Sequence, residues 1–219
     1  MGNPTSVKVA VVTGEHSFDV VNFHKLFREL DGIDAYIQHM DDWAASSGEV
    51  RGGYDVTLFY NFHMQTPPAD GLSWHRGDPK SAIESLGEDG GILILHHALL
   101  AYPQWPLWNG IVGIEDRDFD YQAGESVRVE IADDAHPVTE GVKAWEMTDE
   151  VYAMAEPGED SRVLATTDHP KSMKALAWTR RHKKARVFCF QSGHDNDTWA
   201  DASFRKVLTR GILWCAGRI

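Results

Sequence analysis

Four short apolar runs in the first hundred residues, each broken by a turn and separated by helical periodicity, constrain the fold more than any other feature. Residues 7–13 (Val-Lys-Val-Ala-Val-Val-Thr) are β-branched and stop at Gly14. Residues 33–39, 54–60 and 91–95 repeat that character, the last reading Gly-Ile-Leu-Ile-Leu. Runs apolar on both faces suit strands covered on both sides, as in a parallel sheet. Between the first two, Phe23, Leu26, Phe27 and Leu30 recur at helical spacing and Gly32 supplies the stop. A second amphipathic helix is predicted over 79–86, with Pro79 at its first position. Strands alternating with helices imply right-handed crossovers and one mostly parallel sheet flanked by helices, an α/β fold.

The second half reads differently. Segments 126–131, 150–154, 162–166, 173–179 and 185–190 alternate or run apolar with turn residues between them, which predicts antiparallel additions to the parallel core. Residues 201–214 close the chain as a helix, with Phe204, Val207, Leu208 and Ile212 on one face. No repeat, low-complexity tract or linker divides the sequence, so residues 1–219 are expected to form a single domain.

Histidines carry the functional signal because of where they fall. His16 follows the first run, Asn61 and His63 the third, His96 and His97 the fourth, and His194 with Asp195 the run that ends at Gln191. In an open parallel sheet the carboxyl ends of the strands share one edge, where ligands bind. Strand ends that each deliver a histidine therefore predict several imidazoles in one crevice. By contrast, His24, His39, His75, His169 and His182 fall on helix faces, distal strand ends or turns, and read as surface residues. Such a cluster suits a divalent cation such as zinc, general acid–base catalysis near neutral pH, or hydrogen bonding to a polyhydroxylated ligand. No His-x-x-x-His helix signature chooses among them. Trp74, Trp105, Trp108 and Trp199 lie in loops or beside this crevice, where an indole can face a sugar ring or fill a core.

Charge and cysteine content remove other classes. A net charge of −12 repels phosphate backbones, so no nucleic-acid partner is expected, and Arg180–Lys184 reads as a solvated turn. No apolar stretch approaches the ~18 residues a membrane span needs, and the first residues lack a signal-peptide pattern, which together predict a cytoplasmic protein without a membrane partner. Cys189 and Cys215 lie in apolar strand and helix patterns and read as small core residues. Exposed edges in such folds commonly pair, so a homo-oligomer, a dimer, is expected.

The ordered set of motifs resembles the ThuA-like (trehalose utilisation) family. It comprises Thr13-Gly14-Glu15-His16, Asn61, the GGILILHHA segment, Asp134 to Gly141, Asp149 to Tyr152, Ala177-Trp178-Thr179-Arg180 and Ser192-Gly193-His194-Asp195, spanning about residues 7–217. The resemblance implies a flavodoxin-like fold, similar to class I glutamine amidotransferases, and a role in carbohydrate metabolism on a disaccharide or keto-sugar. In that superfamily a strained strand-to-helix turn presents a cysteine, with a histidine downstream. Here His96 stands at the turn, His194 resembles the downstream residue, and neither cysteine is near. A thiol glutaminase therefore lacks its nucleophile. Glu15 and His97 depart from the family pattern by adding bulk and polarity to the crevice.

The catalytic candidates are His96, His194 and Asp195, with Asp195 orienting His194 as base or metal ligand and His96 polarising or protonating the substrate. Substrate contacts are expected from His16, Asn61, His63, His97, Glu150, Tyr152 and Trp199. Residues two apart on a strand share a face, which suits either a pocket wall or a solvated strand start, and the family resemblance is what places Glu150 and Tyr152 in the site. His136-Pro137 reads as a structural turn. The expected ligand is a small-molecule sugar, bound by an enzyme or by a non-catalytic binding module.

Overall fold

The computed structural model describes residues 6–68 and 77–219. Among the described residues, nine strands join in the order β2-β1-β3-β4-β9-β8-β7-β5-β6. Strands β1 (Val7–Gly14), β2 (Ile33–His39), β3 (Val56–Asn61), β4 (Gly91–Leu95) and β9 (Ala185–Phe190) pair in parallel. Strands β5 (Asp120–Ile131), β6 (Trp145–Ala153), β7 (Arg162–Thr166) and β8 (Ala175–His182) add to them in antiparallel fashion.

The two-residue period of the strands sorts their side chains into two cores. Val7, Val9 and Val11, Leu93 and Leu95, and Phe188 and Phe190 face helices α1 (Val20–Arg28) and α7 (Ala202–Cys215). Ala10 and Val12, Ile92 and Ile94, and Val187 and Cys189 face α2 (Met40–Ala45), α4 (Pro79–Glu84) and α5 (Pro106–Val112) on the other side. That double burial is why these runs are apolar without alternation. Each fully buried Val, Leu, Ile or Phe contributes roughly 1.5–3 kcal/mol.

Side-chain caps fix where the helices begin. Asp19 accepts the Asn22 N–H at 3.1 Å ahead of α1, and Asp201 accepts the Phe204 N–H at 2.7 Å ahead of α7. Four short helices have too few turns for a periodicity to register in sequence: α2, α3 (Gly48–Arg51), α5 and α6 (Asn196–Ala200). Strand β5 begins at Asp120 rather than 126, because its first residues are exposed and its register with β6 shifts between Gln122 and Glu125. Strand β6 likewise starts at Trp145, five residues before the expected segment.

Trp105, Trp108 and Trp199 are core residues, 7%, 0% and 2% exposed, and Trp74 and His75 lie outside the described residues. The Arg180–Lys184 run crosses the tight β8–β9 turn, where Arg180 pairs with Asp160 and both Lys183 and Lys184 pair with Glu88. Among the described residues no helix is long and apolar enough to cross a membrane.

Candidate active site

The parallel strands deliver their carboxyl ends to one edge. β4 runs straight into a 3-10 turn, His96–Leu100, whose first residue adopts φ 54°. An imidazole in the left-handed region costs of order 1–3 kcal/mol, and such strain gathers at functional sites. The same edge holds Glu15 at φ 59° and Tyr102 at φ 50°. Gly14, the last residue of β1, has φ 147°, a conformation that favours glycine, and a Cβ there would also press on the rings of His63 and His39, at 2.7 and 2.9 Å.

His96 is fully buried, and its Nδ1 lies 2.7 Å from the Gln191 carbonyl oxygen. A carbonyl only accepts, so Nδ1 carries the proton and the Nε2 lone pair faces the crevice. Three groups converge on that nitrogen: the Tyr152 hydroxyl at 2.8 Å, His194 Nδ1 at 3.1 Å and Glu150 Oε1 at 3.5 Å. Glu150 Oε1 is also 3.5 Å from His194 Nδ1. Burial works to raise the Glu150 carboxyl, but once His96 carries a second proton its hydrogen bond and charge, with His194 behind it, outweigh burial and hold the carboxyl below the ordinary range. Burial and the neighbouring Glu150 push the Tyr152 phenol well up, so its hydroxyl stays protonated.

His97, next along the 3-10 turn, donates Nε2–H to the Tyr60 carbonyl at 3.3 Å and stacks on His16 with ring centroids 4.1 Å apart. Burial first, then the neighbouring imidazoles, lower both rings and keep them neutral. Together with Phe62, Leu100, Phe119, Tyr121, Glu150 and Tyr152 they line a cavity of about 300 Å³. Tyr121 arrives there because β5 pairs it directly with Tyr152 of β6.

His16, His96, His97, His194, Glu150 and Tyr152 therefore meet as the sequence predicts. Other candidates do not. His63 stacks on Tyr102 with ring centroids 5.7 Å apart and lines a neighbouring cavity with Glu15, Met64 and Gln65, away from His96. Asn61 is fully buried, with Nδ2 3.2 Å from His63 Nδ1 and Oδ1 unpartnered. Trp199 does not face the crevice; it donates Nε1–H to the Gly193 carbonyl at 2.9 Å from within the core.

Asp195 is the larger correction. It is exposed, and its carboxylate caps α6 by accepting the Asp197 N–H at 3.0 Å, so it does not orient the His194 ring. Asp149 holds that turn instead: fully buried, it accepts the Gly193 and His194 N–H groups, each at 3.0 Å, and the Thr198 hydroxyl at 2.8 Å. Asp149 and Val151 point toward α6 while Glu150 and Tyr152 point into the cavity, so the period of β6 divides positioning from chemistry. Phe119 and Tyr121 carried no sequence signal, since only the tertiary fold brings the start of β5 over the strand ends, whereas Phe62 lies between Asn61 and His63 at a strand end the sequence had marked.

Both thiols lie elsewhere. Cys189 Sγ is 3.7 Å from the Val112 carbonyl oxygen and Cys215 Sγ is 3.2 Å from that of Ile92, and burial pushes both up.

Such a mixed sheet, parallel in its first half and flanked by helices, defines an α/β protein with His96 at the strained turn after β4 and His194 after β9. The ThuA (trehalose utilisation) family profile matches residues 8–215, and the chain belongs to that family, which places it in carbohydrate metabolism. Among solved structures it is similar to a ThuA-like protein from Parabacteroides merdae, with TM-score 0.75, 20% identity, and coverage of 98% of this chain and 91% of that one. A cytoplasmic protein from Salmonella typhimurium aligns with TM-score 0.68, 14% identity, and coverage of 94% and 98%. A GMP synthase protein from Thermoplasma acidophilum aligns with TM-score 0.55, 13% identity, and coverage of 97% and 95%, a likeness of fold alone. Among curated proteins no sequence match is found.

Proposed function

We propose that the chain is a sugar-processing enzyme acting on a disaccharide or keto-sugar, and that His96, His194 and Glu150 hold a divalent cation such as zinc. One observation carries this reading. With Nδ1–H committed to Gln191, the Nε2 lone pair of His96 and the Glu150 carboxylate are two acceptors facing each other at 3.5 Å. Donation from the Tyr152 hydroxyl and His194 Nδ1, or a cation held between the two acceptors, makes that arrangement favourable. The sides of the triangle, 3.1, 3.5 and 3.5 Å, favour the cation. Ligands about 2.1 Å from a tetrahedral zinc stand about 3.4 Å apart, and catalytic zinc keeps three protein ligands with one position open. The Gln191 carbonyl fixes the His96 tautomer as the outer partner of a metal-bound histidine does.

A bound cation would polarise a substrate oxygen. The chain's own groups do the rest: Tyr152 keeps a proton to donate beside His96, and the stacked His16 and His97 border the space where a sugar would lie. Glutamine hydrolysis is disfavoured, since imidazole occupies the turn and both thiols are remote.

Elemental analysis of untagged protein is expected to give close to one transition metal per chain, lost in His96→Ala and His194→Ala. Turnover across a panel of disaccharides and keto-sugars should vanish in both variants while the far-ultraviolet spectrum stays native. A metal-free protein at full activity removes the cation, and unchanged activity in both variants removes the centre. A sugar that raises the melting temperature yet is unaltered after hours would instead mark a binding module.

A further inference from the structure

The 3-10 turn that carries His96 is gripped from outside by one buried cation. Arg117 is 2% exposed, the most buried Lys or Arg among the described residues. A guanidinium offers five N–H donors, and all five are taken. Nη1 donates to the Leu99 carbonyl at 3.0 Å and to that of Ala101, and Nη2 to that of Tyr102 at 2.6 Å. Nε and Nη2 both donate to Asn109 Oδ1, at 3.1 and 2.6 Å. Every acceptor is a neutral oxygen, and among the described residues no carboxylate is paired with the group. Burial pushes the guanidinium down to about 10, so it stays charged at neutral pH. Taking a charge out of water without a counter-ion is costly, and what the fold gains here is a fixed path for the backbone.

The segment so gripped is the strained one. His96 and Tyr102, at its two ends, both lie in the left-handed region, at φ 54° and 50°. Such conformations persist only where the surroundings over-determine them. The Trp108 indole N–H holds the Ala98 carbonyl at 3.0 Å, and the Tyr102 N–H reaches the His63 carbonyl at 2.6 Å. Arg117 then binds the three carbonyls that close the turn. It also precedes Phe119 by two residues and Tyr121 by four, so one side chain ties the turn bearing His97 and Leu100 to the aromatic residues across the cavity. Lysine brings three donors from a single point and cannot span this array. A separate cavity of about 470 Å³, which Asn109, Asp116, Arg117 and Asp118 help to line, opens beside the guanidinium and gives small cations a way in.

We propose that Arg117 is a positioning residue for the active centre. By clamping Leu99, Ala101 and Tyr102 it holds the His96 turn so that Nε2 faces Glu150 and His194, and it acts without touching ligand or reacting atoms. Its effect on cation binding rests on the function proposed above, whereas its effect on the His96 ring does not.

Nuclear magnetic resonance of the full chain, isotopically labelled at histidine and kept in excess chelator, reads the clamp without metal or substrate. Wild type is expected to show a slowly exchanging His96 Nδ1–H, held by the Gln191 carbonyl. Arg117→Ala and Arg117→Lys should exchange that proton about tenfold faster while the amide spectrum of the sheet stays native. With the chelator removed, titration with zinc chloride should show about tenfold weaker binding in both, the loss typical when the partners that orient a metal ligand are disturbed. Millimolar guanidinium chloride should restore the ring signal to Arg117→Ala by filling the vacated space, and equimolar ammonium chloride should not. Gly211→Ala, which disturbs packing between α7 and β9, should match wild type in both measurements, separating positioning from a general loss of stability. If Arg117→Ala does not fold, Asn109→Ala withdraws one acceptor while leaving the guanidinium, and a smaller change in the same direction is expected. Wild-type exchange in Arg117→Lys or Asn109→Ala, or equal rescue by ammonium, would overturn the proposal. A wild-type chain that binds no zinc yet shows the Arg117-dependent ring signal would sink the cation and leave the clamp standing.

Discussion

Replacing Asp149 separates positioning of the active-site turn from its chemistry. In Asp149→Ala the Gly193 and His194 N–H groups lose their acceptor inside the protein, whereas the Thr198 hydroxyl can turn its single proton to the Thr148 carbonyl, 2.9 Å away. Each stranded buried donor costs about 1–3 kcal/mol, and relief from burying a carboxylate returns part of that. The net loss is therefore about 3–4 kcal/mol, which at a slope of ~2 kcal/mol/M moves the urea midpoint down by roughly 1.5–2 M. Asp149→Asn keeps one acceptor oxygen and should cost about half as much. Asp195→Ala removes only a surface cap and should cost about 1 kcal/mol. Equilibrium urea unfolding followed by tryptophan fluorescence measures all three. A midpoint shift below about 0.5 M for Asp149→Ala, or an equal shift for Asp195→Ala, would show that the buried carboxylate does not hold the His194 turn.

Two further outcomes follow from burial and close packing. Burial lowers His16, His63, His97, His136 and His182, so below pH ~6.5 the unfolded chain binds protons that the folded chain refuses. Stability is therefore fully present above that pH and falls as pH drops, by on the order of 1 kcal/mol per imidazole per unit; Asp149, raised by burial, opposes the trend in the carboxylate range. Calorimetry at pH 7.5 and 5.5 should show a lower melting temperature at pH 5.5 and a smaller drop in His63→Gln, and a melting temperature independent of pH would refute the assignment. Gly211 of α7 rides on Phe188 of β9 so closely that a Cβ would enter the ring, so Gly211→Ala should destabilise by about 1–2 kcal/mol despite alanine's higher helix propensity. Thermal melts showing a more stable variant would contradict that packing.

The sequence alone determined the α/β class, the parallel-then-antiparallel order and most strand positions, because burial on both faces writes itself into uninterrupted apolar runs such as residues 7–13 and 91–95. It also brought His16, His96, His97 and His194 to one edge, since a parallel sheet places the ends of its strands together. Tertiary structure decided which neighbours of those histidines matter. Asp195 is adjacent in sequence yet caps a helix, whereas Asp149, forty-five positions away, clamps the turn. The aromatic wall of Phe119 and Tyr121 exists only because the β5–β6 pair reaches back over the end of β4, a long-range pairing that local patterning does not encode. Side-chain direction likewise separated Trp199 and His63 from the crevice: residues at one strand edge share a location, but rotamer and packing settle which of them share a cavity.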